Sequence, residues 1–136
     1  MLFPVILISG DKSLDILSSD VYFKKATRHT VNSNSYVGCK VLDSLNECYV
    51  IDSVADIGRA NSFWSFDFFN PMLNIELKFR RVPCTFNEIN SMVKSAIEAS
   101  SQFWEEHEDI SVIKQRIQDE KSIEGIIRYL KSIRQF

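Results

Sequence analysis

The side chains able to do chemistry are few and scattered along the 136 residues. Cys39, Cys48 and Cys84 are odd in number and lack the paired short spacing of a zinc site or a disulfide framework. They read as reduced, mostly buried thiols, the state of a reducing compartment. His29 and His107 lie far apart, and neither sits in a His-x-x-x-His or Cys-x-x-Cys setting, so the chain offers no metal ligand set. Ser95 follows Lys94, but no base stands in register with it. Gly10-Asp11-Lys12-Ser13 has the tail of a phosphate-binding loop without its first glycine and spacer, and reads as a plain turn. The expectation is a protein without catalytic residues, metal or cofactor.

Charge is concentrated in one place, Glu105-Glu106-His107-Glu108-Asp109, with Glu98 two helical turns before it. As a solvated helix end this run needs no function. As an interaction surface it makes Glu105, Glu106, Glu108 and Asp109 the partner-binding candidates. Taken as the C-terminus of one long helix, the run opposes the helix dipole, so neutralising it is expected to leave stability unchanged or raise it slightly. The opposite charge sits on the last helix, at Lys121, Arg128, Lys131 and Arg134, and supplies the alternative of a small nucleic-acid-associated factor. A net charge of −2 provides no broad positive field for that role. The aromatic cluster Phe63 to Phe69 could stack on bases, yet no cations are interleaved with it, and core packing accounts for it better.

The elements that must position these groups begin with the stretch Met72 to Glu106. Leu73, Ile75, Leu77 and Phe79 alternate with Asn74, Glu76, Lys78 and Arg80 at the two-residue period of a half-buried strand. Thr85-Phe86-Asn87-Glu88 follows as a capping box. Ile89, Met92, Val93, Ala96, Ile97, Phe103 and Trp104 then form the stripe of one long helix expected to lie on that strand's apolar face. Val5 to Ile8 is continuously apolar, as in an interior strand. It lacks the basic flank and cleavage site of a signal peptide and is too short to span a bilayer. Leu14, Ile16 and Leu17 suggest one helical turn, and Val21 to Val31 a weak strand. Asn32 to Ser35 reads as a loop.

Tyr36 to Leu42 and Cys48 to Ile57 form a hairpin across Asp43 to Glu47, with Val37, Cys39 and Val41 sharing a face. After a turn at Gly58 to Asn61, Phe63 to Phe69 is the next strand. Two shorter helices follow the long one: the first carries Val112, Ile113 and Ile117. The second, capped by Ser122, carries Ile123, Ile126, Ile127, Leu130 and Ile133. Strands first and helices last predict a single α+β domain over residues 1–136, an antiparallel β-meander sheet packed on one face by a C-terminal helical layer. A chain of this length can bury roughly 70% of its unfolded surface without disulfides.

The succession Val41-Leu42-Asp43-Ser44, Cys48-Tyr49-Val50-Ile51, Phe63-Trp64-Ser65-Phe66, Ile75-Glu76-Leu77 and Ser122-Ile123-Glu124-Gly125-Ile126-Ile127 resembles small bacterial immunity proteins of contact-dependent inhibition and other polymorphic toxin systems. Leu45-Asn46-Glu47 stands where similar proteins usually have a small polar or glycine turn. The resemblance implies a non-enzymatic inhibitor in the bacterial cytoplasm. Its partner would be a cognate toxin domain, a basic nuclease for which an acidic patch would be complementary, with no membrane involved. It carries over no residue-level site and no oligomeric state. The alternative is a small nucleic-acid-associated factor or a small enzyme of unknown chemistry.

Overall fold

The structure, a computed structural model, describes residues 1–59 and 71–134. The strand expected at Phe63 to Phe69 lies outside them. Among the described residues six strands form one antiparallel sheet: β1 (Val5–Ile8), β2 (Leu14–Leu17), β3 (Lys25–Thr27), β4 (Lys40–Leu42), β5 (Cys48–Arg59) and β6 (Met72–Val82), in the order β2-β1-β4-β5-β6-β3. Helices follow, α2 (Phe86–Ala99), α3 (Ser101–Glu105), α4 (Ile110–Asp119) and α5 (Ile123–Ile133), after a short α1 (Arg28–Asn32) inserted between β3 and β4. The α+β class and the C-terminal helical layer are thus those expected from the order of elements.

β1 is the interior strand expected from its unbroken apolar run, because both of its faces are covered. Ile6 and Ile8 join Leu14, Ile16, Leu42 and Cys48 beneath the stripes of α2, α4 and α5. Val5 and Leu7 point the other way, into a second cluster with Phe23, Tyr36, Cys39, Val41, Ile51, Leu73 and Ile75.

That second cluster corrects the expected packing of the long helix. Leu73, Ile75, Leu77 and Phe79 lie on the face away from α2, with Phe23 edge-on to Phe79 at 5.3 Å between centroids. Val82, of the opposite parity, packs with Cys84 and Phe86 against the helical cluster. The chain therefore leaves β6 on the other side of the sheet from the strand's apolar face.

Four local expectations also change. Leu14 to Leu17 is a strand, because its four residues pair with β1 from Val5↔Leu17 to Ile8↔Leu14. Val21 to Val31 is a 3-10 turn (Asp20–Phe23), then β3, then α1, with Thr27 accepting the Thr30 amide at the helix start. The strand expected from Tyr36 begins only at Lys40, and Val37 is exposed, while Cys39 and Val41 share the inner cluster. β5 runs on to Arg59 instead of turning at Gly58.

The caps read from the sequence are present. The Thr85 hydroxyl accepts the Glu88 amide at 3.2 Å and donates to the Glu88 carboxylate, and Ser122 accepts the Gly125 amide at 3.0 Å. Thr85→Ala should therefore cost about 1 kcal/mol in urea unfolding with an unchanged denaturant slope. An unchanged midpoint would remove the cap's contribution. Between helices, buried Asn90 donates to the Ile117 carbonyl at 2.9 Å, tying α2 to α4.

Candidate functional site: the acidic turn between α3 and α4

The expected long helix breaks at Ser100, and this break positions the acidic run. α3 is a separate turn held by Trp104, which is 1% exposed and packed in the helical cluster, while Phe103 stays on the surface. Phe103 and Trp104 are thus not a continuation of the α2 stripe. The Arg134 guanidinium closes over both rings, at 4.0 Å from the Phe103 centroid and 5.4 Å from that of Trp104. His107 lies beside Phe103 at 5.4 Å between ring centroids. After α3 the chain wraps around the Trp104 carbonyl, which accepts the amides of His107 at 2.9 Å and Glu108 at 3.1 Å. Glu105, Glu106, His107, Glu108 and Asp109 are all exposed on this turn.

The four carboxylates are not equivalent. Asp109 is the N-cap of α4, its Oδ1 accepting the Ser111 amide at 2.9 Å and the Ser111 hydroxyl at 2.6 Å. These two hydrogen bonds hold its carboxyl below the usual aspartate range. Glu108 precedes that cap and accepts the Asp109 amide at 3.1 Å. Both therefore stand at a helix start, where negative charge is favourable, and only Glu105 and Glu106 close a helix. The expected neutral or stabilising effect of removing all four charges is thereby corrected. Asp109→Ala should lower the melting temperature. Because its folded pKa is depressed, the carboxylate's contribution is complete above the ordinary aspartate pKa and is lost as pH falls through the lowered one. A melting temperature equal to the parent's at neutral pH would contradict the cap.

Among the described residues, Glu105, Glu106 and Glu108 form no ion pair. Glu98 does, to Lys114 at 2.8 Å, and this lysine's hydrogen bond and charge lower the Glu98 carboxyl. It is therefore compensated and separate from the exposed run. The charge of Glu108 is felt at Tyr129, whose hydroxyl is pushed up by burial first and by Glu108 second.

The basic face of the last helix is used largely within the molecule. Arg128 lies 3.5 Å from Glu124, Lys131 reaches the Ser18 hydroxyl at 3.4 Å, and Arg134 covers the two rings already described. Lys121 is exposed.

One constellation has no counterpart in the sequence spacing. Cys48 and Cys84 come together in a cleft of about 460 Å³, walled by Asn46, Glu47, Arg81, Thr85 and Glu88. Only the β5–β6 register, with Cys48 opposite Val82, brings them side by side. Burial, then the neighbouring Cys84 thiol, pushes Cys48 up to about 12, so it is protonated at neutral pH and a poor nucleophile. All three cysteines are free thiols. Among the described residues no group of three or more His, Cys, Asp or Glu is arranged to hold a metal ion, and no helix is long and apolar enough to cross a membrane. No family model, curated protein or solved structure matches the chain.

Proposed function

We propose that this protein is a non-catalytic immunity protein that binds a basic toxin domain, a nuclease being the best-fitting class, through the turn carrying Glu105, Glu106, Glu108 and Asp109. The observation that carries the reading is uncompensated charge. Four exposed carboxylates fall within five residues, and Glu105, Glu106 and Glu108 have no cation paired with them among the described residues. A nuclease must attract a polyanion and so presents a basic cleft, for which such a turn is an electrostatic complement that raises the association rate. Trp104 and the Asp109 cap fix the turn in place, which limits the ordering cost of binding. The alternative, nucleic-acid binding by the last helix, has weaker support because Arg128, Lys131 and Arg134 already have partners within the chain.

Co-expression tests the proposal. In this reading the protein acts in the bacterial cytoplasm, and its partner is the variable C-terminal domain of a large secreted protein encoded immediately upstream. Cells making that domain should survive only when this protein is also made. Equal killing with and without it, both proteins being soluble, would contradict the assignment.

A further inference from the structure

β6 is far longer than the strand that covers its outer edge. β3 pairs only with Met72, Leu73 and Asn74, and the last bond of this ladder's extension is the Ile75 amide to the Lys24 carbonyl at 2.9 Å. Lys24 follows the 3-10 turn that leaves the edge. Since strand amides alternate sides, those of Leu77, Phe79 and Arg81 point the same way as that of Ile75, away from β5. The β5 side gives the same answer. Ile51 accepts from Gly38 at 2.9 Å and donates to Cys39 at 3.0 Å, both toward β4. Its neighbour Val50 therefore turns to β6, where it meets Arg80, leaving Phe79 and Arg81 outward. Among the described residues these three outward amides have no hydrogen-bond partner in any other element.

An apolar trough runs along the same stretch, on the face of Leu77 and Phe79. It has a volume of about 460 Å³, with Phe3, Phe23, Ile57 and Ile75 among its walls. Ile57 is 61% exposed at its rim. The opposite face of this edge carries Lys78, exposed and without an ion pair among the described residues, between Glu76 and an Arg80 whose guanidinium already bridges Asp52 at 3.2 Å. A row of free amides next to an apolar trough is what an added strand needs: hydrogen bonds from the backbone, and a place for alternate side chains. The unpaired Lys78 decides the occupant. A second copy paired antiparallel about a two-fold axis at Phe79 would set Lys78 against Arg80, whereas an axis at Lys78 would set it against itself with Glu76 facing Arg80, so a dimer is the competing occupant that the test separates.

We infer that the open edge of β6 from Leu77 to Arg81 is a strand-addition site for an extended segment of a partner protein that alternates apolar with acidic residues. The apolar side chains extend into the trough beside Leu77 and Phe79, and an acidic one faces Lys78. The surface lies on a different part of the molecule from the acidic turn and does not rest on the immunity reading.

The test uses the full chain and a synthetic peptide alternating valine with glutamate, about seven residues long, enough to span the edge at roughly 3.3 Å per residue. On adding it, hydrogen exchange at the Leu77, Phe79 and Arg81 amides should slow by about tenfold or more, while α-helical amides are unaffected. Peptide N-methylated on both edges should not bind. Lys78→Glu, checked for native circular dichroism, should weaken the valine-glutamate peptide about tenfold and favour a valine-lysine one. Absence of any protection, equal binding by the doubly methylated peptide, or equal binding by the two charge versions would each overturn the proposal. So would a dimer in which those amides are already protected without peptide.

Discussion

Asp43→Ala should destabilise the protein by about 3 kcal/mol, among the largest effects of any single change. Asp43 is fully buried, yet among the described residues no cation is paired with it. Its carboxyl oxygens accept from backbone amides. Oδ1 accepts Leu45 and Glu47, each at 3.0 Å, and Oδ2 accepts Leu2 at 3.1 Å. Removing the carboxylate takes the acceptor from three part-buried amides and empties a fully buried position. It also loosens Asn46, which holds a positive φ of 62° in the same turn and accepts the Ile123 amide at 2.8 Å. The β4–β5 turn thereby anchors both the N-terminal segment and the start of α5. Asp43→Asn separates the two oxygens. With its amide oxygen at the Oδ1 position the turn keeps its bonds, and only the Leu2 contact is lost, so roughly 1–2 kcal/mol is expected. Urea unfolding of the pair checks this, and equal losses for Ala and Asn would show that the turn bonds contribute little.

Trp104→Ala should cost about 3–5 kcal/mol, the range for deleting a buried large aromatic. α3 has only five residues and no side-chain cap, so it is held in place by this ring rather than by its own helical propensity. Arg134 would also lose one of the two rings it covers. For a domain of this size the loss corresponds to a fall in melting temperature of very roughly 10–20 °C. Trp104→Phe, which keeps most of the volume, should lose much less. Calorimetry on both variants decides it, and a small change for Ala would mean that α3 is held by something other than its buried ring.

What could be read from the sequence was whatever is fixed locally. The unbroken apolar run of β1 and the two hydroxyl caps at Thr85 and Ser122 involve residues close in the chain, and all appear as expected. Leu14, Ile16 and Leu17 fit a helical turn as well as a strand over so short a span, and only pairing with β1 decides between them. The alternation of β6 was legible, but alternation identifies an apolar face without saying which layer covers it. At the candidate site, the charge density was evident. Its division between two helices was not, although Asp109 directly before Ile110 is a recognisable helix-start signal. The Cys48–Cys84 pair and the open edge of β6 depend on strand register and sheet order, which no local pattern encodes.

In the proposed function, the exposed carboxylates of the α3–α4 turn attract a basic protein partner. The direct test is the association rate of the Glu105→Gln, Glu106→Gln, Glu108→Gln triple variant, with the Asp109 cap left intact, for the toxin domain at two ionic strengths. Charges of this kind act mainly on encounter. The variant should associate about tenfold more slowly at low salt, with a flatter salt dependence and a nearly unchanged dissociation rate. Association at the parent rate with the parent's salt dependence would remove the turn from the interface.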